Sequence, residues 1–217
     1  MASQQVEDYL KSIYKLQERG GRVSTSSLSE RLNISAPSVT EMIKKLAEEG
    51  VLTYAPYKGV ELTADGRKKA LKILRRHRLW EVFLDEVLKY PWHEIHEEAD
   101  RLEHITSEKL GRRLDETLGF PRTDPHGDAI PTTDGEIERH RYISLAEIKP
   151  GTTVTVSRVN DASPQVLQYA AKLGIGLNKK LKVKERVEFD GSLRVEIGRK
   201  DRFVSAKLAE NIFVEEV

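Results

Sequence analysis

Ser27-Leu28-Ser29-Glu30-Arg31-Leu32, Asn33-Ile34-Ser35, Ala36-Pro37-Ser38-Val39-Thr40 running on to Gly50, then Val51-Leu52-Thr53-Tyr54 and Gly59-Val60-Glu61-Leu62-Thr63: residues 27–63 decide the fold class. The first string is a short helix that Ser26 or Ser27 can cap. Asn33-Ile34-Ser35 is a tight break. Pro37 suits the first turn of the next helix, Val39, Ile43 and Leu46 form its inner face, and Gly50 ends it. The two β-rich strings flank a loop holding Pro56 and Gly59, which reads as a hairpin. Helix, turn, helix, hairpin is the order of a winged helix-turn-helix, and that order points to DNA binding. The bland alternative is a winged helix that binds another protein.

Outward from this core, Val6, Leu10, Ile13, Tyr14 and Leu16 recur at helical spacing, and Gly20-Gly21 stops that first helix. A long helix is expected from about Ala64 to Tyr90, ended by Pro91, and a second from about Trp92 to Leu118. The second carries only a narrow apolar seam, Ile95, Leu102, Ile105, Leu110 and Leu114. Two such helices lack enough partner surface within the chain, so a homodimer interface is expected. Residues 119–143 are rich in proline and glycine and read as a linker. After Ser144 the period changes to two in Val154-Thr155-Val156, Leu181–Lys184, Leu193–Ile197 and Phe203-Val204, with one helix from Pro164 to Leu173. The expected architecture is mainly α. It comprises a winged helix-turn-helix over residues 1–63, a helical metal-binding and dimerisation domain over 64–143, and a small SH3-like β-barrel over 144–217.

The 217 residues contain no cysteine, which excludes disulfides, thiolate metal sites and a cysteine nucleophile. No apolar run approaches the roughly 20 residues of a membrane span, and no secretory signal is evident, so a cytoplasmic protein without membrane contact is expected. The formal net charge is only +1. A nucleic-acid binder of this composition must segregate its charge. Residues 44–78 hold ten Lys and Arg, whereas residues 93–104 hold five carboxylates and three histidines.

Those histidines carry the chemistry. His77 and Glu81 are four apart on one helix, so they share a face; His96, Asp100 and His104 follow the same spacing on the next, with Glu103 beside His104. An antiparallel helix pair can join two such lines into a nitrogen and oxygen ligand set for a divalent first-row metal. A solvated charged face is the bland reading of any one of these residues. There is no phosphate loop, no Gly-x-Ser-x-Gly and no His-Glu-x-x-His, so no enzyme and no small-molecule substrate is expected. A metal hydrolase built on His77, His96 and His104 is the weaker alternative.

Five strings, in this order, resemble the diphtheria-toxin-repressor family of iron- and manganese-dependent regulators over nearly the whole chain. They are Glu7–Tyr14, Ser35–Thr40, Arg76–Glu81, His96–His104 and Asp124–Pro131. The resemblance implies an activating metal site of Asp8, Asp100, Glu103 and His104. It implies an ancillary site of His77, Glu81 and His96, or of Glu81 with Asp124, His126 and Asp161; the third domain lends Asp161 or Gln165. Iron-responding members have methionine and cysteine where this chain has Asp8 and Asp100. Carboxylates suit Mn²⁺, which is favoured over Fe²⁺, while Co²⁺, Zn²⁺ or Cd²⁺ can substitute. Short manganese-specific members carry a carboxylate at Lys11. A cation there argues against their two-metal cluster and should pair with a nearby acid.

The implied function is a metal-dependent repressor, in which metal fixes a dimer on a palindromic double-stranded DNA operator and controls metal-homeostasis genes. Ser35, Pro37, Ser38 and Thr40 should approach bases or phosphates, and Lys44, Lys45 and Lys58 should serve phosphates. Simple helix capping is the other reading of the serines. Without metal, the acids of the activating site should repel one another and free the DNA-binding domain. From another class, a metal-binding protein without operator function is the alternative.

Overall fold

Serine hydroxyls start the helices of the DNA-binding segment. Ser3, Ser24 and Ser35 sit before helices α1 (Gln4–Gln17), α2 (Thr25–Leu32) and α3 (Ala36–Glu48), and each side chain accepts from a backbone N–H in the first turn. The computed structural model describes residues 3–18, 20–138, 142–161 and 163–216. Asn33, left-handed at φ 53°, closes α2 and makes the tight break before α3. Val39, Ile43 and Leu46 are fully buried, as their spacing requires. Strands β1 (Leu52–Ala55) and β2 (Gly59–Leu62) pair antiparallel. Val23 joins β2 through an isolated bridge to Val60. This is the expected winged helix-turn-helix, with its first α-helix packed on the same core.

Helix α4 runs Ala64–Glu86, four residues short of the expected end. Lys89 turns left-handed at φ 57°, and Tyr90 N–H bonds back to Leu84 O at 2.9 Å, so the helix is already closed before Pro91. The second long helix is two helices, α5 (Ile95–Glu103) and α6 (Glu108–Thr117). Thr106 and Ser107 cause the break. Thr106 Oγ1 donates to Leu102 O at 2.7 Å, and Ser107 Oγ accepts from Leu110 N at 3.2 Å as a new cap. The break leaves His104 immediately after the end of α5 instead of inside a helix.

The chain divides into two compact units. One comprises the chain up to Arg78, Arg101–Arg113 and Ile130–Glu138; the other comprises Leu79–Asp100, Leu114–Ala129 and the chain from Tyr142 onward. The first has a core of α1–α3, the hairpin and the start of α4, including Tyr9, Ile13, Leu28 and Leu71. The second centres on a six-stranded antiparallel sheet. Its strands are β3 (Ile143–Ser144), β4 (Thr153–Val159), β5 (Lys180–Arg186), β6 (Leu193–Ile197), β7 (Lys200–Val204) and β8 (Ile212–Glu216), ordered β3-β8-β4-β5-β6-β7. Helix α7 (Pro164–Leu173) falls where the sequence places it, and a short α8 (Ala206–Ala209) precedes β8.

Alternation explains the sheet: Leu181, Val183, Leu193, Val195, Val154 and Val156 are fully buried. Register shifts at Val156/Arg158 and Val183/Glu185 bend β4 and β5. The expected SH3-like domain is an antiparallel sheet that does not close into a barrel. Among the described residues β3 and β7 are unpaired edges, so the sheet is open. β3 and β8, too short or too polar at one end to read as alternating strands, extend it. Residues 119–138 are not a loose linker in their first half. Asp124 Oδ1 accepts from His126 N at 2.8 Å and Asp128 N at 2.9 Å, a side-chain-closed turn. No helix among the described residues is long and apolar enough to cross a membrane.

Gly66, inside α4, explains how this helix lies against the hairpin's entry. A Cβ there would stand 1.8 Å from the Val51 carbonyl oxygen, while Thr63 N donates to that same oxygen at 3.1 Å. Gly→Ala in a helix interior ordinarily gains up to about 1 kcal/mol. Here Gly66→Ala should instead lose about 1–3 kcal/mol, because α4 must shift off the hairpin. Urea denaturation measures this; a stabilised variant would refute the close approach.

Candidate metal centres

The first centre is built by α1, α4 and the end of α5. Asp8, Glu103 and His104 each offer a ligand atom, and these atoms lie within 4.8 Å of one another. His104 Nε2 is 3.1 Å from Asp8 Oδ1 and 3.4 Å from Glu103 Oε1. Its Nδ1 is 2.8 Å from Glu7 Oε2. Glu103 has no solvent exposure. Its Oε1 accepts from Lys11 Nζ at 2.6 Å and its Oε2 from His77 Nδ1 at 2.6 Å. Burial pushes the Glu103 carboxyl up, but the hydrogen bond and charge of His77, joined by Lys11, outweigh it and hold the group below the usual carboxylate range. Arg76 completes the network: Nη2 donates to Glu7 Oε1 at 2.8 Å and Nε to the Glu103 backbone oxygen at 2.9 Å.

The second centre gathers around Glu81, which is fully buried. Glu81, His96 and Asp161 form one cluster of donors, and Glu81, Asp124 and His126 another, each within 4.8 Å. Glu81 Oε1 is 3.0 Å from His96 Nδ1 and 4.0 Å from His126 Nδ1, and Asp161 Oδ2 is 3.5 Å from His96 Nδ1. His126 is fully buried, yet neither ring nitrogen has a hydrogen-bond partner among the described residues. A buried imidazole with both nitrogens unsatisfied is costly, and it lies beside two carboxylates. That observation fits a divalent ion at this centre. The Trp92 ring stacks on His126 at 5.4 Å between centroids, and Trp92 Nε1 donates to Pro125 O at 3.1 Å, which holds the loop. Gln165 instead accepts from its neighbour Ser163.

The surface expected to meet DNA is exposed. Ser35, Pro37, Ser38, Lys44, Lys45 and Lys58 are exposed, and Thr40 is half-buried. Capping engages the Ser35 hydroxyl: Ser38 N donates to it at 3.4 Å, and the two serine hydroxyls lie 2.9 Å apart. Thr40 Oγ1 donates to Ala36 O at 2.9 Å. Tyr57, at the tip of the hairpin beside Lys58, is fully exposed and left-handed at φ 64°.

Three family descriptions match successive parts of the chain. "Iron dependent repressor, N-terminal DNA binding domain" covers residues 1–60, "Iron dependent repressor, metal binding and dimerisation domain" covers 63–132, and "FeoA domain" covers 143–216. The iron-dependent repressor IdeR of Mycobacterium leprae is 36% identical over 157 residues, 69% of this chain and 68% of its own. The chain belongs to the diphtheria-toxin-repressor family. It is a metal-dependent transcriptional repressor, and members of the family are not enzymes. Against further mycobacterial iron-dependent repressors the alignment spans 54% of their length. A solved manganese-dependent transcriptional repressor in complex with manganese is 42% identical, with TM-score 0.89, covering 98% of this chain and 100% of that one. ScaR with bound Cd²⁺ is 33% identical, with TM-score 0.82, covering 98% and 99%.

Within this repressor the expected ligands separate as follows. Asp8, Glu103 and His104 come together at the first centre, and Glu81, His96, Asp124, His126 and Asp161 at the second. His77 directs Nδ1 to Glu103, so that nitrogen is engaged at the first centre. Asp100 belongs to the other unit from Asp8, Glu103 and His104, and its role rests on the resemblance. Lys11 pairs with a nearby acid, Glu103, as its charge requires. Glu103, among the acids expected to repel one another, is already paired, and Glu7 beside it is paired too. Lys11, Arg76 and the imidazoles of His77 and His104 already face these carboxylates. Glu7 and Arg76 are the residues the sequence reading missed. Their only signal is a carboxylate next to Asp8 and an arginine next to His77.

Because the folded-state pKa of Glu103 is depressed, its stabilisation is fully present above the ordinary carboxylate value near ~4.3 and is lost as pH falls through the lower folded value. Glu103→Gln should cost the metal-free protein about 3–5 kcal/mol at neutral pH, since Lys11 loses its buried partner, and should flatten the acid limb. Urea melts in chelator from pH 7 down to pH 3 test this; an unchanged acid limb would show that Glu103 is not the group responsible.

Proposed function

We propose that this repressor is manganese-responsive and acts as a homodimer on a palindromic operator, with Asp8, Glu103 and His104 as the activating ligands. The observation that carries the reading is the donor set of the first centre: two carboxylates and an imidazole, in a chain without cysteine. Oxygen and nitrogen donors suit Mn²⁺, and Fe²⁺ is the alternative within the same family. Asp100, one turn before Glu103 on α5, stays as the fourth ligand that the family resemblance supplies. The manganese-bound and Cd²⁺-bound relatives support a site tolerant of several divalent ions.

When bound, a divalent ion would supply positive charge and bind Asp8, Glu103 and His104 together. The chain's own residues do the rest. Asp8 sits on α1, one helix before the helix-turn-helix, and Glu103 and His104 sit at the end of α5. Joining them fixes α1, and with it the seating of the α2–α3 pair in the same core. A dimer whose recognition helices are held about one DNA turn apart then fits an operator with two half-sites. Exposed Ile105 and Leu110, and separately Val87 and Leu88, lie in the segment matching the dimerisation domain and support self-association. The ancillary centre at Glu81, His96, Asp124, His126 and Asp161 adds stability in metal. A repressor acting on a DNA operator fits a cytoplasmic protein.

The test is anisotropy titration of the protein on its own promoter DNA with Mn²⁺, Fe²⁺ or chelator. Binding is expected with Mn²⁺ and absent in chelator, and His104→Ala should abolish the metal response while the far-ultraviolet spectrum stays native. DNA binding independent of metal would overturn the sensor reading.

Lys44 and Lys45 on α3 are assigned to phosphates. Replacing both with alanine should weaken binding similarly on specific and random DNA and reduce the salt slope by about 1 per lysine. A loss confined to the operator sequence would mean they read bases instead.

A further inference from the structure

We propose that Glu7 is a positioning residue that sets the tautomer of His104, keeping the proton on Nδ1 so that Nε2 presents its lone pair to a metal. The proposal rests on the first centre as assigned above. His104 is caught between acceptors on both sides: Glu7 Oε2 lies 2.8 Å from Nδ1, while Asp8 Oδ1 at 3.1 Å and Glu103 Oε1 at 3.4 Å face Nε2. A neutral imidazole has one N–H, and a carboxylate can only accept. The shorter contact, at Nδ1, favours keeping the proton on that nitrogen. Without Glu7 the two carboxylates facing Nε2 would claim it, and Nε2–H cannot ligate a metal. A carboxylate behind the non-ligating nitrogen is a general device for orienting metal-binding histidines.

Glu7 is itself held rigidly. Its other oxygen accepts from Arg76 Nη2 at 2.8 Å, and Arg76 Nε also donates to the Glu103 backbone oxygen at 2.9 Å. Arg76 thus ties Glu7 on α1 to the end of α5, the point from which His104 departs. His104 is largely buried, with 6% side-chain exposure, and Glu7 has 15%, so little solvent competes for the contact. Arg76 gives a discriminating variant. If Glu7 mattered only as an ion-pair strap between helices, removing either end would have the same effect.

The experiment is ¹⁵N NMR of the His104 ring in the metal-free, full-length protein near pH 8, alongside Mn²⁺ titration by calorimetry. The wild type should show Nδ1–H at His104. Glu7→Met should move the proton to Nε2 and weaken Mn²⁺ binding about 10–100-fold. Arg76→Met should keep Nδ1–H. The proposal is overturned if wild-type His104 carries Nε2–H, a reading that needs no variant to fold, if Glu7→Met keeps Nδ1–H, or if Arg76→Met shifts the tautomer equally. A wild type with Nδ1–H that binds no Mn²⁺ would sink the metal assignment and leave the positioning role of Glu7 standing.

Discussion

A carboxylate with no exposure to water must be paired or protonated, and Glu103 is such a group. Its two oxygens accept from Lys11 on α1 and His77 on α4, and its backbone oxygen accepts from Arg76. Three separate stretches of chain therefore meet at one residue. Breaking a buried pair of this kind costs about 3–5 kcal/mol, far more than an exposed ion pair is worth. The placement of α1 against the middle of α4 is tied to that carboxylate.

This arrangement changes how the metal response is understood. A cluster of acids alone would fly apart without a cation. Here the chain brings its own cations, so the centre is already assembled. Beside this balanced carboxylate, Asp8 is half-exposed and lies 3.1 Å from His104 Nε2. The second centre is arranged otherwise. There the buried ring of His126 stacks on Trp92 and has no hydrogen-bond partner among the described residues, and the neighbouring donors come from a loop, a helix and the strand-rich part of the chain. One centre is balanced by the protein's charges; the other sets a buried imidazole beside buried carboxylates.

The break between α5 and α6 shows how a local signal can decide a functional position. Thr106 and Ser107 end one helix and cap the next. Had the helix continued, His104 would have faced the same stripe as His96 and Asp100, which is what helical spacing alone suggests. Helix α5 ends at Glu103, and His104 just beyond it meets Glu7 and Asp8. The turn closed by Asp124 works similarly: a stretch that reads as a linker becomes a rigid support because one carboxylate oxygen gathers two backbone N–H groups.

By itself the sequence determined what is local and periodic. The helix-turn-helix follows from serine caps, Pro37 in a first turn and the Val39, Ile43, Leu46 stripe; the sheet follows from period-two alternation, and metal chemistry from histidines spaced with carboxylates. Pairing across long separations was decided only in three dimensions. That Lys11 meets Glu103, 92 residues away, and that Glu7 meets His104, 97 away, depends on helix orientation. Side-chain spacing within one helix carries no record of that orientation. The open sheet edge and the turn of His77 toward Glu103 belong to the same class, because each depends on which surface a neighbouring element leaves uncovered.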